Sequence, residues 1–324
     1  GRSVGSAAKG CGAGEGFPAS GFAGAAMMRE RQCKGPEPNS HERFGRGTKV
    51  LGAAAPPRRT PDPALAAGRD GSELAAWPWP LGVPAGALAG DEARVWWASL
   101  RQSAERLADL AQTLSAEERE RAARFRFPEH RDRFVAGRGL LRALLGAYLN
   151  RSAATLRFEQ GPHGKPALAG ADAESGLHFN LSHSGDGALY AVALREVGVD
   201  LESHDRTTDY LAILERVCTR RERVSFQALP PHVQREAFFA CWTRKEAVAK
   251  ASGDGLAGGL RHLEVCFWEN SLADDRSCLR DAEGREWSVL TLPLGSGWGG
   301  ALAVVGTDWR WSGWRWRDAL GMTS

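Results

Sequence analysis

Three short stretches of this chain carry side chains whose types and spacing suit chemistry on phosphates. In Val197-Gly198-Val199-Asp200-Leu201-Glu202 the pattern alternates as a strand does. Val197, Val199 and Leu201 then share one face, and Asp200 and Glu202 share the other. The Cα atoms of the two acids would stand about 7 Å apart. Two carboxylates on one strand face repel unless water or a cation screens them. A hard divalent ion such as Mg²⁺ suits the pair, because it takes one or two carboxylates and completes its shell with water and phosphate oxygens. A solvated edge strand would carry the same letters, and spacing alone leaves both readings open.

The second stretch runs from Phe238 to Lys250 and has a helical period, with Phe238, Cys241, Trp242, Val248 and Ala249 forming an apolar stripe. Glu246 and Lys250 sit one turn apart on its flank, the spacing of an ordinary surface ion pair. Lys245 falls inside the apolar stripe, so something besides plain core meets that face. The third stretch is Phe179-Asn180-Leu181-Ser182-His183-Ser184-Gly185-Asp186-Gly187. Its glycines read as a tight turn between two strands. Ser182 and His183 would lie at a strand end, offering a hydroxyl and an imidazole to an anion, or simply holding the turn. A serine nucleophile elbow needs G-x-S-x-G, which neither Ser182 nor Ser184 satisfies. No second His or Cys stands at zinc spacing.

Around these stretches the pattern predicts strands at Ala93–Leu100, Leu156–Glu159, Leu177–Leu181, Leu189–Leu194, Val197–Glu202, His262–Trp268, Trp287–Leu292 and Gly300–Gly306. A helix opens at Ser115 as N-cap, with Glu117 and Glu118 in its first turn. A second helix covers Glu129–Leu149. A third covers His232–Ala251 and stops at Ser252-Gly253-Asp254-Gly255. Strands and helices mix without strict alternation, which favours α+β over a doubly wound parallel sheet. The order strand, helices, strands occurs twice, before and after about residue 196.

Composition bounds the partners. The chain has 324 residues and a net charge of +3, but residues 1–80 hold 11 Lys/Arg against 7 Asp/Glu, so the rest is nearly neutral. A nucleic-acid-coating protein would be basic in its folded part, and none is expected as partner. The alternating Trp309-Arg310-Trp311 and Trp314-Arg315-Trp316 are read as an extension packing on the domain rather than as a base-stacking tail. No apolar run approaches the roughly 20 residues of a membrane span. The first 80 residues contain 14 of 39 glycines and 9 of 16 prolines, as a disordered leader would, with Met27 or Met28 read as nearer a natural start. Six cysteines without a CxxC pair read as thiols of a reducing compartment.

In combination, Phe179–Ser184, Gly198–Glu202 and Trp242–Lys250 resemble the Sfp-type 4′-phosphopantetheinyl transferases, whose pattern is F-N-[IL]-S-H-S, then G-[IV]-D-[IL]-E, then W-x-x-K-E-x-x-x-K. The family's upstream G-K-P is matched by Gly164-Lys165-Pro166, and the resemblance covers roughly residues 92–306. It implies an α+β fold of two pseudo-two-fold-related halves. The expected organisation is a leader at 1–85, halves at 86–196 and 197–312, and a Trp/Arg tail at 313–324. It further implies transfer of the phosphopantetheine arm from coenzyme A to a serine of an acyl or peptidyl carrier protein, with release of adenosine 3′,5′-bisphosphate. Asp200, Glu202 and Glu246 would then hold Mg²⁺, and Lys250 would face the pyrophosphate. Glu246 is the first choice for taking the serine proton and Glu202 the alternative. Lys165, Ser182 and His183 would contact coenzyme A, with Arg121 and Arg138 the closest matches for gripping its 3′-phosphate. Phe134 departs from relatives that carry a small hydroxyl residue there. A cytoplasmic monomer serving polyketide, nonribosomal-peptide or fatty-acid carriers is implied. The rival reading is a non-catalytic module that binds coenzyme A or a carrier.

Overall fold

The computed structural model describes residues 79–82, 86–161, 163–204, 209–253, 260–265, 276–281, 283–295 and 297–316. The elements follow in chain order. The first group is β1 (Leu81–Gly82), β2 (Glu92–Ser99), α1 (Ala104–Thr113), α2 (Ala116–Ala123), α3 (Pro128–Leu149), β3 (Phe158–Gln160), β4 (Pro166–Leu168), β5 (His178–Ser184) and β6 (Gly187–Ala193). The second is β7 (Val197–Ser203), α4 (Tyr210–Val217), α5 (Arg220–Gln227), α6 (Pro231–Ser252), β8 (Arg276–Arg280), β9 (Glu286–Thr291), β10 (Trp298–Val305) and β11 (Arg310–Trp316).

Two sheets result, a mixed one ordered β1-β11-β2-β6-β5 and an antiparallel one ordered β7-β10-β9-β8, beside a small β3–β4 pair. One run of pairings recurs in both. β2 pairs with β6 and β6 with β5, as β7 pairs with β10 and β10 with β9. This repeat of topology, with helices between first and later strands, is the α+β arrangement of two similar halves that the motifs implied.

Burial follows from strand alternation. In β2 and β6, Trp96, Ala98, Ala188, Tyr190 and Val192 turn to a core shared with α1 and α3. Val95, Leu189 and Ala191 turn the other way and meet Val197, Val199, Leu201, Leu302 and Val304 of the second sheet. Trp287, Val289, Ala301 and Ala303 face α6 and its neighbours. The result is helices, sheet, sheet, helices, with three apolar cores between the layers.

Local chemistry sets the helix ends. Ser115 and Glu118 form a capping box at α2, and Thr219 and Glu222 form another at α5. Gly253 takes the left-handed conformation (φ 80°) that closes α6. The expected continuation of that stop signal, Asp254 and Gly255, lies outside the described residues.

Several expectations need correction. Trp79 is buried and Leu81–Gly82 pairs with β11, so these residues belong to the fold and not to a leader reaching residue 85; residues 1–78 lie outside the described set. Residues 313–316 are not a tail. They complete β11, which inserts parallel between β1 and β2 in the first half's sheet. Trp314 stacks on Trp96 at 5.1 Å between ring centroids, and Trp311 meets Trp79 at 5.9 Å. Burying these rings removes a large apolar area from water. The expected strand at His262–Trp268 is a 3-10 turn at Leu260–His262, and residues 266–268 lie outside the described set. Among the described residues, no helix is long and apolar enough to cross a membrane.

Glu118 doubles as an anchor. Its carboxylate pairs with Arg138 and with the buried Arg142, each at 2.6 Å. Burial alone would raise its pKa, but Arg138, the Ser115 amide and Arg142 outweigh this and hold it below the ordinary glutamate value. A lowered folded pKa stabilises the protein above the unfolded value, and that stabilisation is lost as pH falls through the folded one. Glu118→Gln is therefore expected to destabilise by about 3 kcal/mol at neutral pH, with the difference shrinking in acid. Denaturant melts across the acid range would read both.

Candidate active site

The β7 strand and the α6 helix pack face to face, and the contact depends on Gly198. A Cβ built there would stand 2.1 Å from the Ala247 carbonyl oxygen and 2.4 Å from the Ala251 nitrogen. With this clearance, the face of β7 that carries Gly198, Asp200 and Glu202 meets the α6 turns bearing Trp242, Glu246 and Lys250, spaced four residues apart. Asp200, Glu202 and Glu246 are 2%, 8% and 6% exposed, so neither the solvated edge strand nor the surface ion pair describes them.

Lys250 Nζ donates to Asp200 Oδ1 at 2.5 Å and to Ser182 Oγ at 2.8 Å. Ser182 donates in turn to Asp200 Oδ1 at 2.9 Å and accepts the Leu201 amide at 3.2 Å. Glu202 accepts Trp242 Nε1 at 3.1 Å on one oxygen and Ser184 Oγ at 3.1 Å on the other. Asp200 Oδ2 and Glu246 Oε1 are buried with no hydrogen-bond partner among the described residues. Orphaned carboxylate oxygens are costly when buried, so these two are the natural contacts for a cation.

The electrostatics agree. Burial and then the Asp200 charge push the Glu202 and Glu246 carboxyls up, while Lys250 opposes both. Burial would lower Lys250, but Asp200, Glu246 and Glu202 hold it above the ordinary lysine value. Ionising all three acids against one ammonium would leave unbalanced negative charge, and an all-oxygen donor set of this kind fits a hard divalent ion such as Mg²⁺.

His183 is driven down to about 4 by burial and then by the Lys250 and Arg133 charges. It is therefore neutral at physiological pH, and offers an anion one N–H rather than a positive charge. Arg133 of α3 pairs with Asp186 at 2.7 Å beside the turn that follows the Ser-His pair. Arg101 reaches the same carboxylate at 2.8 Å. Arg138 is committed to Glu118, and Arg121 lies over the Phe134 ring at 5.4 Å, so these two stand together on α2 and α3. Lys165 Nζ donates to the Ala251 carbonyl at 2.7 Å and to the Val197 carbonyl at 3.3 Å. Burial first, and Arg285 to a smaller extent, lower Lys165 to about 8 against the pull of Glu196. It ties the β3–β4 loop of one half to α6 and β7 of the other.

Lys245 has its partner in Glu222, at 2.8 Å, with both side chains fully buried. Cys218, Glu222 and Cys241 come within 4.8 Å of one another, as a metal site would require. Glu222, however, already accepts the Val265 amide on Oε1, and the Thr219 amide and Lys245 on Oε2. Both oxygens are taken, so the cluster is a strut between α5 and α6. Sequence reasoning misses Ser184, Trp242, Asn180 and Arg133, which the structure places around the acids and His183. The two-residue period of Asn180, Ser182 and Ser184 was the signal available for three of the contacts.

Comparison with known proteins bears on both halves. Residues 196–303 match the model of the 4′-phosphopantetheinyl transferase superfamily, and residues 97–195 match that of the 4′-phosphopantetheinyl transferase N-terminal region. The 4′-phosphopantetheinyl transferase HetI of Nostoc sp. is 42% identical over 224 residues, which is 69% of this chain and 92% of that protein. A putative 4′-phosphopantetheinyl transferase, slr0495, of Synechocystis sp. is 32% identical over 56% of this chain and 72% of its own length. The 4′-phosphopantetheinyl transferase Sfp of Bacillus subtilis is 30% identical over 47% of this chain and 66% of its own length. Similarity thus runs through both sheets and across the carboxylate pocket, and the chain belongs to the 4′-phosphopantetheinyl transferases.

Proposed function

We propose that this enzyme moves the 4′-phosphopantetheine arm of coenzyme A onto a serine of an apo acyl or peptidyl carrier protein, in a reaction that depends on Mg²⁺. The observation that carries the reading is the pair of unpartnered buried oxygens, Asp200 Oδ2 and Glu246 Oε1, flanked by Lys250. Asp200, Glu202 and Glu246 would hold the ion. When bound, a divalent ion supplies charge withdrawal and alignment at the diphosphate.

The residues of the chain do the rest. Lys250, held in place by Asp200 and Ser182, presents its ammonium to the diphosphate. The carrier serine oxygen forms a bond to the phosphorus that bears pantetheine, and the bond from that phosphorus to the bridging oxygen breaks. The electron pair leaves with adenosine 3′,5′-bisphosphate, whose new charge Lys250 faces. The serine proton passes to Glu246, with Glu202 as the second candidate. Neutral His183 and Ser182 contribute hydrogen bonds to coenzyme A phosphates. Arg121, Arg138 and Lys165 are further nucleotide contacts only if they give up the partners described above; Arg133 is better placed, because its charge already acts on His183.

On the same reading the protein is a cytoplasmic monomer with neither nucleic acid nor membrane as partner. Its halves meet near residue 196. Acidic carrier surfaces would be drawn to basic residues at the mouth.

Purified protein incubated with coenzyme A, Mg²⁺ and several apo-carriers is expected to raise the mass of at least one carrier by a single phosphopantetheine arm. Coenzyme A binding with no mass gain on any carrier would instead favour a non-catalytic binding module.

A further inference from the structure

β5 and β7 are edge strands of different sheets that lie side by side, and no backbone ladder joins them. Side chains take its place. The Val199 amide donates to Asn180 Oδ1 at 2.9 Å, the Leu201 amide to Ser182 Oγ at 3.2 Å, and the Ser203 amide to Ser184 Oγ at 3.1 Å. Residues 180, 182 and 184 share one face of β5, and residues 199, 201 and 203 are alternate positions of β7, so both periods match. The Asn-x-Ser-x-Ser pattern is thus a fastening between the two halves.

Each serine that has accepted an amide turns its own proton onward. Ser182 gives it to Asp200, and Ser184 gives it to Glu202 Oε2 at 3.1 Å. Glu202 Oε1 is held from the opposite side by Trp242 Nε1 of α6. Glu202 therefore receives one donor from each half. With 8% exposure it has little water to replace a missing donor.

We propose that Ser184 is a positioning residue for Glu202, transmitting the seating of one half on the other to a carboxylate of the cation pocket. This rests on the reading of Glu202 as a ligand of a divalent ion. Groups that orient a metal ligand commonly change affinity by about tenfold or more when removed.

The test titrates Mn²⁺ into the full chain, counting free ion by electron paramagnetic resonance, with thermal melting in parallel. Ser184→Ala is expected to weaken Mn²⁺ binding about tenfold, and Ser184→Thr, which keeps the hydroxyl, to restore it to within about twofold of wild type. The Mg²⁺ concentration for half-maximal transfer should move with the Mn²⁺ affinity, while the KM for the carrier moves much less. If Ser184→Ala does not fold, Ser184→Cys replaces it with the same expected weakening, because a thiol donates and accepts poorly. Wild-type binding with unchanged affinity in the variant overturns the positioning role alone. Weakening that threonine fails to restore also overturns it, as a general packing effect. A wild-type protein that takes up no Mn²⁺ overturns the metal reading and this inference together.

Discussion

Asp200→Ala and Glu246→Ala are each expected to cut transfer by about three orders of magnitude. A divalent ion in a dry site contributes several kcal/mol at the transition state, and each ~1.4 kcal/mol is a factor of ten. Both carboxylates carry a buried oxygen with no partner among the described residues, so neither is replaceable by a rearranged neighbour. Stability should respond differently. In the metal-free protein the three acids crowd one lysine, and burial together with Asp200 already disfavours ionisation of Glu202 and Glu246. Glu246→Ala takes away a carboxyl whose ionisation is disfavoured, so its melting temperature should be unchanged or higher. In Asp200→Ala the relief of Glu202 and Glu246 is offset by loss of the nearest partner of Lys250. Initial rates by carrier mass and melting by circular dichroism separate the two effects. Turnover within about tenfold of wild type in either variant would remove that residue from the site.

The second large effect is structural. Gly198→Ala is expected to destabilise by about 3 kcal/mol or more, or to leave the protein insoluble. The added carbon would lie 2.1 Å from the Ala247 carbonyl oxygen, 2.4 Å from the Ala251 nitrogen and 2.8 Å from the Ala251 Cβ. Two of these atoms are backbone of α6 and cannot rotate away. Relief requires α6 to lift from β7, which also carries Glu246 and Lys250 away from Asp200. Stability and transfer should therefore fall together, and Gly198→Ala with a wild-type melting curve would show that α6 and β7 are not in close contact.

What the sequence disclosed and what it concealed differ by the range of the interaction. The alternation in Val197–Glu202 and the helical period from Phe238 to Lys250 are local, and each placed its acids on the correct face. Motif order then implied that the faces meet, and the short Asp200–Lys250 contact bears this out. Long-range pairings were illegible. Nothing local says that Arg310–Trp316 inserts parallel to β2, although its tryptophans announced burial. Lys245 announced a partner without naming it, because Glu222 lies on another helix. The partners of the arginines were illegible for the same reason. Arg138 and Arg133 both look like helix-surface cations until Glu118 claims one and Asp186 the other.

The most direct measurement is the anomalous scattering of Mn²⁺ in crystals grown with coenzyme A. The account expects one strong peak per chain, within coordination distance of oxygens from Asp200, Glu202 and Glu246 and of the diphosphate. A peak elsewhere, or bound coenzyme A with no ion among those three side chains, would contradict it.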